Sequence, residues 1–161
     1  MRWFRRNVMG MDVPYAPSIL VRPHGGAEVA MPKAYAGDAG FDLACTERCI
    51  VYPGEYAEIP CGFDIELPEG VWAMIHPRSS TARRGLLVNT SVIDNGYRGP
   101  MFVGVTNVKA PGEENSEVIE KGERVAQLIP MPLLAPEIVV YEVDALSASD
   151  RGTAGFGSTG S

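Results

Sequence analysis

The chain has 161 residues, 45% of them hydrophobic, with a formal net charge of −6 at pH 7, which suits one packed domain and is too little for two ordinary ones. Its lysines and arginines form no long run, so there is no electrostatic footprint for a nucleic-acid polymer and no such partner is expected. The opening Met1-Arg2-Trp3-Phe4-Arg5-Arg6-Asn7 is basic without the apolar stretch of a signal peptide, and no later segment approaches a membrane span, so the expectation is a cytoplasmic protein with no membrane partner.

Residues 1–17 are expected to be a disordered N-terminal extension. Residues 18–144 read as the folded domain. They carry short β-branched and aromatic runs punctuated by Gly, Pro and Asp: Phe41-Asp42-Leu43, Cys49-Ile50-Val51-Tyr52, Gly62-Phe63-Asp64-Ile65-Glu66-Leu67, Val71-Trp72-Ala73-Met74-Ile75, Met101-Phe102-Val103-Gly104-Val105 and Ile138-Val139-Val140-Tyr141. Runs this short with turn signals this regular predict an all-β sandwich, barrel or jelly roll. Cys45, Cys49 and Cys61 are odd in number and lie in strand-like surroundings, which predicts buried reduced thiols instead of a disulfide framework. A zinc site would need a fourth soft ligand, and His24 and His76 show no ligand spacing to the cysteines.

Pro77-Arg78-Ser79-Ser80-Thr81-Ala82-Arg83-Arg84-Gly85 breaks the strand pattern. It predicts one short helix with Ser79 or Ser80 capping its start, basic residues in its last turn and Gly just past its end. That helix reads either as a capped turn between strands or, with Arg78 beside its free N–H groups, as an anion site. Further on, Asp94-Asn95-Gly96 is a hairpin-turn signature. Residues 145–161 are rich in Ala, Ser, Gly and Thr, the composition of a flexible linker. Yet Arg151 and Phe156 stand there among glycines whose N–H groups are able to cradle phosphate oxygens, so a linker and a ligand lid both remain open.

Five segments acquire a common meaning when taken in order: Ala36-Gly37-Asp38-Ala39-Gly40-Phe41-Asp42-Leu43, Pro77-Arg78-Ser79-Ser80, Val92-Ile93-Asp94-Asn95-Gly96-Tyr97-Arg98-Gly99, Gly122-Glu123-Arg124-Val125-Ala126-Gln127-Leu128, and Arg151-Gly152-Thr153-Ala154-Gly155-Phe156-Gly157-Ser158-Thr159-Gly160. Together they resemble the motifs of the homotrimeric dUTPase family, from about Ser18 to the end. The resemblance implies an all-β distorted jelly roll of the β-clip type with one short helix. It also implies a flexible C-terminal arm, residues 145–161, that closes over a neighbouring active site, and a homotrimer whose sites are shared between subunits.

The same resemblance implies a dUTP diphosphatase, which hydrolyses dUTP to dUMP and pyrophosphate, keeps uracil out of DNA and supplies dUMP for dTTP synthesis. Asp94 matches the general base that activates the water attacking the α-phosphorus, and Asp42 the residue that reaches a Mg²⁺ cofactor through water. Arg78, Ser79, Ser80 and Gln127 match phosphate-binding positions, with Ser80 where the family usually has Gly. Asn89 lies near a uracil-contacting position, and Tyr97 matches the aromatic that occupies the space of a 2′-OH. Arg151 matches the γ-phosphate partner, Phe156 the ring that stacks on uracil, and Gly157, Ser158 and Thr159 the segment that closes over the triphosphate.

Two other readings compete. A dCTP deaminase shares the fold and resembles the chain around Arg78-Ser79-Ser80-Thr81-Ala82-Arg83-Arg84-Gly85-Leu86, but it needs a proton-shuttling acid beside the base, and Met101-Phe102-Val103-Gly104-Val105 contains no carboxylate. A binding or regulatory protein using the trimer as a scaffold is the other; the full set of catalytic residues argues against a pure scaffold, and the basic extension Arg2 to Arg6 is the segment open to such a role.

Overall fold

The computed structural model describes residues 6–8, 11–13, 18–26, 29, 31–134, 140, 142 and 147. The strands are β1 (Arg6–Val8), β2 (Met11–Val13), β3 (Leu20–Pro23), β4 (Phe41–Ala44), β5 (Cys49–Val51), β6 (Tyr56–Glu66), β7 (Val71–Pro77), β8 (Leu86–Val88), β9 (Ser91–Ile93), β10 (Pro100–Asn107), β11 (Glu117–Ile119) and β12 (Arg124–Pro132). One helix, α1 (Ser79–Arg83), follows β7. Each expected strand run up to Met101–Val105 falls in one of these elements to within a residue at its end, whereas the run Ile138–Tyr141 lies largely outside the described residues.

Two four-stranded antiparallel sheets, ordered β3-β6-β10-β8 and β4-β12-β7-β9, carry the fold, with β11 and β5 paired beside them. Each sheet turns one set of alternate side chains inward. Ile59, Phe63 and Ile65 of β6 and Val103 and Val105 of β10 form one buried cluster with Leu43 of β4, Ile75 of β7, Ile93 of β9 and Leu128 of β12. This is the distorted jelly roll expected. Cys45 and Cys61 are buried in that core, and burial pushes both thiols up to about 12. Cys49 is half-buried, and all three cysteines are free.

Within the N-terminal extension, β1 pairs antiparallel with β2, Arg6 opposite Val13. One expectation needs correction. The Asp94-Asn95-Gly96 turn does not close a hairpin: β9 pairs with β7, and β10, the next strand, pairs with β6 and β8 in the other sheet. The turn therefore carries the chain from one sheet to the other, because Ile93 is buried in the shared core on one side of it and Met101 on the other.

Candidate active site

β12 is the centre of the first half of the site, since it pairs with β4 on one side and β7 on the other. The two registers place Gln127 opposite both Asp42 and His76, so three strands align these residues in one row. Gln127 Nε2 donates to the carbonyl of Pro77 at 3.3 Å, at the end of β7. Arg78 comes next and folds back over the row. Its Nε stands 2.8 Å from Asp42 Oδ1, while NH1 of Arg124 donates to Oδ2 at 2.9 Å. Arg78 NH1 also donates to the carbonyl of Arg124 at 3.0 Å. Both oxygens of Asp42 are thus engaged by guanidinium groups, the strong class of hydrogen bond, at a carboxylate only 22% exposed.

α1 is seated by Thr81, a buried residue whose hydroxyl donates to the carbonyl of Val125 at 2.8 Å. Ser79 and Ser80 are exposed in its first turn. Neither is the cap: that position is Arg78, extended at φ −92° and ψ 146°, with no side-chain capping bond. The helical backbone already begins at Ser79, so both serines lie inside the first turn, where a hydroxyl cannot cap the helix from the preceding position. Gly85, with φ 76°, follows the helix as predicted. Beyond its last turn Arg84 donates from Nε to Glu117 Oε2 at 2.7 Å and from NH2 to the Val118 carbonyl at 2.6 Å, and it pairs with Glu123. Glu117 also accepts from Lys109. Burial pushes Glu117 up, but the hydrogen bonds from Lys109 and Arg84 outweigh it and hold the carboxyl below its ordinary value.

A cleft of about 540 Å³ opens beside this cluster, bounded by Met31, Lys33, Tyr35, Asp42, Gly122 and Arg124. Lys33 is tied to Asp42 through the main chain, the Asp42 N–H donating to its carbonyl at 2.7 Å. Reasoning from sequence assigned no role to Lys33 or Arg124. Arg124 lies inside the fourth segment, but only the pairing of β12 with β4 brings it to Asp42.

The second half of the site lies at the far end of β7. β9 runs antiparallel to β7 with Ile93 opposite Ala73, so the exposed Asp94 emerges beside Trp72. The Tyr97 N–H donates to the Asp94 carbonyl at 3.0 Å and closes the turn. Tyr97 is 39% exposed, and its hydroxyl donates to the Pro100 carbonyl at 2.8 Å. The ring folds over Gly99, where a Cβ would stand 2.5 Å from the hydroxyl oxygen. Asn89 is half-buried, and its N–H donates to the Gly104 carbonyl at 2.8 Å.

The two halves lie at opposite ends of β7: the β9 register runs out at Ala73, while Asp42 and Gln127 align with His76 and Arg78 folds back onto Asp42. From Trp72, the next residue after that register, to His76 is four residues, about 13 Å along the strand at about 3.3 Å per residue. Arg151, Phe156, Gly157, Ser158 and Thr159 lie outside the described residues.

A family model described as dUTPase matches residues 27–160. The chain belongs to the dUTPase family. Among curated relatives, the deoxyuridine 5'-triphosphate nucleotidohydrolase of Clostridium tetani is 45% identical over 130 residues, covering 79% of this chain and 86% of the relative. That of Beijerinckia indica is 40% identical over 161 residues, covering 94% and 97%. Among solved structures, the Staphylococcus bacteriophage 80alpha dUTPase with dUPNHPP superposes with a TM-score of 0.76 at 29% identity, covering 89% of this chain and 99% of that one. The all-β dUTPase fold is therefore common to this chain and its relatives, and no helix among the described residues is long and apolar enough to cross a membrane.

Proposed function

We propose that this dUTPase-family enzyme hydrolyses dUTP to dUMP and pyrophosphate at sites shared between copies of the chain in a homotrimer. The observation that carries the shared site is the separation within one chain. Asp94 follows β9 at the Val71 end of β7, whereas Asp42, Gln127 and the Arg78 guanidinium gather at the other end, about 13 Å away along the strand at about 3.3 Å per residue, further than a water can be activated across. One copy supplies the base and the sugar platform, and another supplies Asp42, Arg78, Ser79, Ser80 and Gln127.

Asp94 accepts a proton from the attacking water and orients it toward the α-phosphorus, a task suited to an exposed carboxylate on a tight turn. Arg78, Ser79, Ser80 and Gln127 bind the phosphates. Asn89 and the main chain of the turn face the uracil, and Tyr97 fills the space that a 2′-OH needs. Arg151 pairs with the γ-phosphate. Phe156 stacks on the base while Gly157, Ser158 and Thr159 close over the triphosphate and exclude water.

The described residues contain no group of three His, Cys, Asp or Glu side chains able to hold a metal by themselves. Asp42, paired with two arginines, keeps lone pairs free to accept from a water. That donor set fits Mg²⁺, which retains waters and takes its remaining ligands from phosphates. Asp42 would hold the ion through water. When bound, Mg²⁺ neutralises developing phosphate charge. In the cytoplasm, where this reading places the enzyme, the reaction keeps uracil out of DNA and supplies dUMP for dTTP synthesis.

The test is to offer dUTP, dCTP, dTTP and UTP with Mg²⁺ and identify the products. The expected result is dUMP and pyrophosphate from dUTP, with little turnover of the others. Ammonia released from dCTP would replace this reading with a deaminase.

A further inference from the structure

We infer that Asn95 is a positioning residue for the reaction, its side-chain amide holding the turn that presents Asp94; this rests on Asp94 being the general base. The β7–β9 ladder runs through Ala73↔Ile93, Met74↔Val92 and Ile75↔Ser91 and then stops. Continued by two residues, the same register brings Asn95 opposite Val71. There the main-chain ladder is replaced by a side chain: Asn95 Nδ2 donates to the Val71 carbonyl at 2.7 Å and to the Pro68 carbonyl at 2.7 Å. Both partners are carbonyls, so only the NH₂ end of the amide fits, and its orientation is unambiguous.

These carbonyls belong to the two ends of one turn. The Val71 N–H donates to the Pro68 carbonyl at 3.1 Å, and Gly70, at φ 73°, supplies the positive φ that such a turn requires. The turn is itself held to the end of β12, where the Leu133 N–H donates to the Gly70 carbonyl at 2.8 Å. Asn95 therefore connects the Asp94 turn to a braced part of the sheet. Arg98 closes the other side, donating from NH1 to the carbonyls of Asn95 and Tyr97, each at 2.8 Å.

The consequence for catalysis follows from the divided site. In the proposed shared site the phosphate-binding cluster comes from another copy, so Asp94 is aligned with it only through the packing of its own turn. An exposed carboxylate on an unbraced turn samples positions an ångström or more apart, and a misplacement of about 1 Å is able to cost about 10²-fold in rate. Asn95 removes that freedom without touching the substrate.

Steady-state and single-turnover kinetics on full-length variants with dUTP and Mg²⁺, far below the melting temperature, test the inference. Asn95→Ala should lower kcat by about 10- to 100-fold with KM changed by less than about threefold. Asn95→Asp keeps the shape but aims carboxylate oxygens at two carbonyls, and should cost more than alanine. In the Asp94→Asn background the alanine change should cost nothing further, because its effect passes through Asp94; a residue that merely stabilised the fold would cost the same factor in both backgrounds. Asn95→Ser, which keeps one donor, covers the case of an alanine variant that does not fold, and its smaller loss should likewise vanish in the Asp94→Asn background. An unchanged kcat in the Asn95 variants, or equal losses in both backgrounds, overturns the inference and leaves the base in place. Parental turnover by Asp94→Asn overturns the base assignment, and the inference with it.

Discussion

Asp42 and Arg78 meet at 2.8 Å, Oδ1 to Nε, across two strands that are not neighbours: β12 lies between them and sends Arg124 to the other carboxylate oxygen. Asp42→Ala removes the shared partner of both guanidinium groups, leaving each to adopt solvent-facing rotamers. The expected result is a fall of about 10²-fold in kcat/KM for dUTP. If Asp42 also reaches the ion through water, the Mg²⁺ concentration for half-maximal rate should rise. A Mg²⁺ titration of both proteins checks this, and an unchanged midpoint would restrict Asp42 to holding the arginines.

Tyr97 should discriminate against ribonucleotides by occupying space. Tyr97→Ala should narrow the dUTP/UTP ratio of kcat/KM, whereas equal loss on both substrates would make the ring a packing element. Gly99→Ala should act in the same direction, because its methyl would stand 2.5 Å from the Tyr97 hydroxyl and 2.7 Å from Cζ. Tyr97→Phe gives up only the hydrogen bond to Pro100 and should keep the ratio.

Truncation after Ala148 should leave the β sandwich folded by circular dichroism, since every described strand ends by Pro132. Catalytic efficiency should nevertheless collapse, through loss of the Arg151 contact and of a base–aromatic stack of a kind commonly worth about 1–3 kcal/mol. Phe156→Trp should retain the stack, and its emission should quench when a non-hydrolysable dUTP analogue and Mg²⁺ are added. Indifference of either measurement would return the tail to a linker.

Acid should destabilise the fold through two carboxylates. Asp64 accepts from Arg22 Nε and NH2 at 3.1 and 2.6 Å and contacts His24 Nδ1 at 2.8 Å. The Arg22 hydrogen bonds hold it below its ordinary value, burial opposing them and His24 assisting. Glu117 is held low by Lys109 and Arg84 against its burial. A depressed folded-state pKa contributes stability that is complete above the unfolded value of about 4 and lost as pH falls through the folded value. The melting temperature should therefore be flat from neutrality to about pH 5 and fall below about pH 4. Asp64→Asn should melt lower than the parent at pH 7, and the gap should narrow progressively as pH falls below about 4. A gap independent of pH would remove Asp64 from the acid response.

Much of this was legible locally. Gly62–Leu67, Val71–Ile75 and Met101–Val105 each announce a buried strand, and each lies in β6, β7 or β10. Gly85 marks the helix end because a left-handed residue there needs no Cβ. The motif residues, taken in order, were enough to name the family. Arg84 was legible only as a helix-end cation, because its partners Glu117 and Glu123 lie 33 and 39 residues away. Asn95 looked like an ordinary turn residue, for its carbonyl partners are set by the register of β7 and β9.

Composition, strand punctuation and motif order thus determined an all-β chain of the dUTPase family and the residue types at its site. Tertiary structure decided how those residues divide. β9 is only Ser91-Val92-Ile93, too short to specify a partner by itself, and its pairing with β7 is accompanied by the two hydrogen bonds of the Asn95 amide to the Pro68–Val71 turn that opens β7. That long-range choice sends Asp94 and Tyr97 to one end of β7 and leaves Asp42, Arg78 and Gln127 at the other, because pairing between distant strands depends on which faces are buried together and not on the residues within each strand.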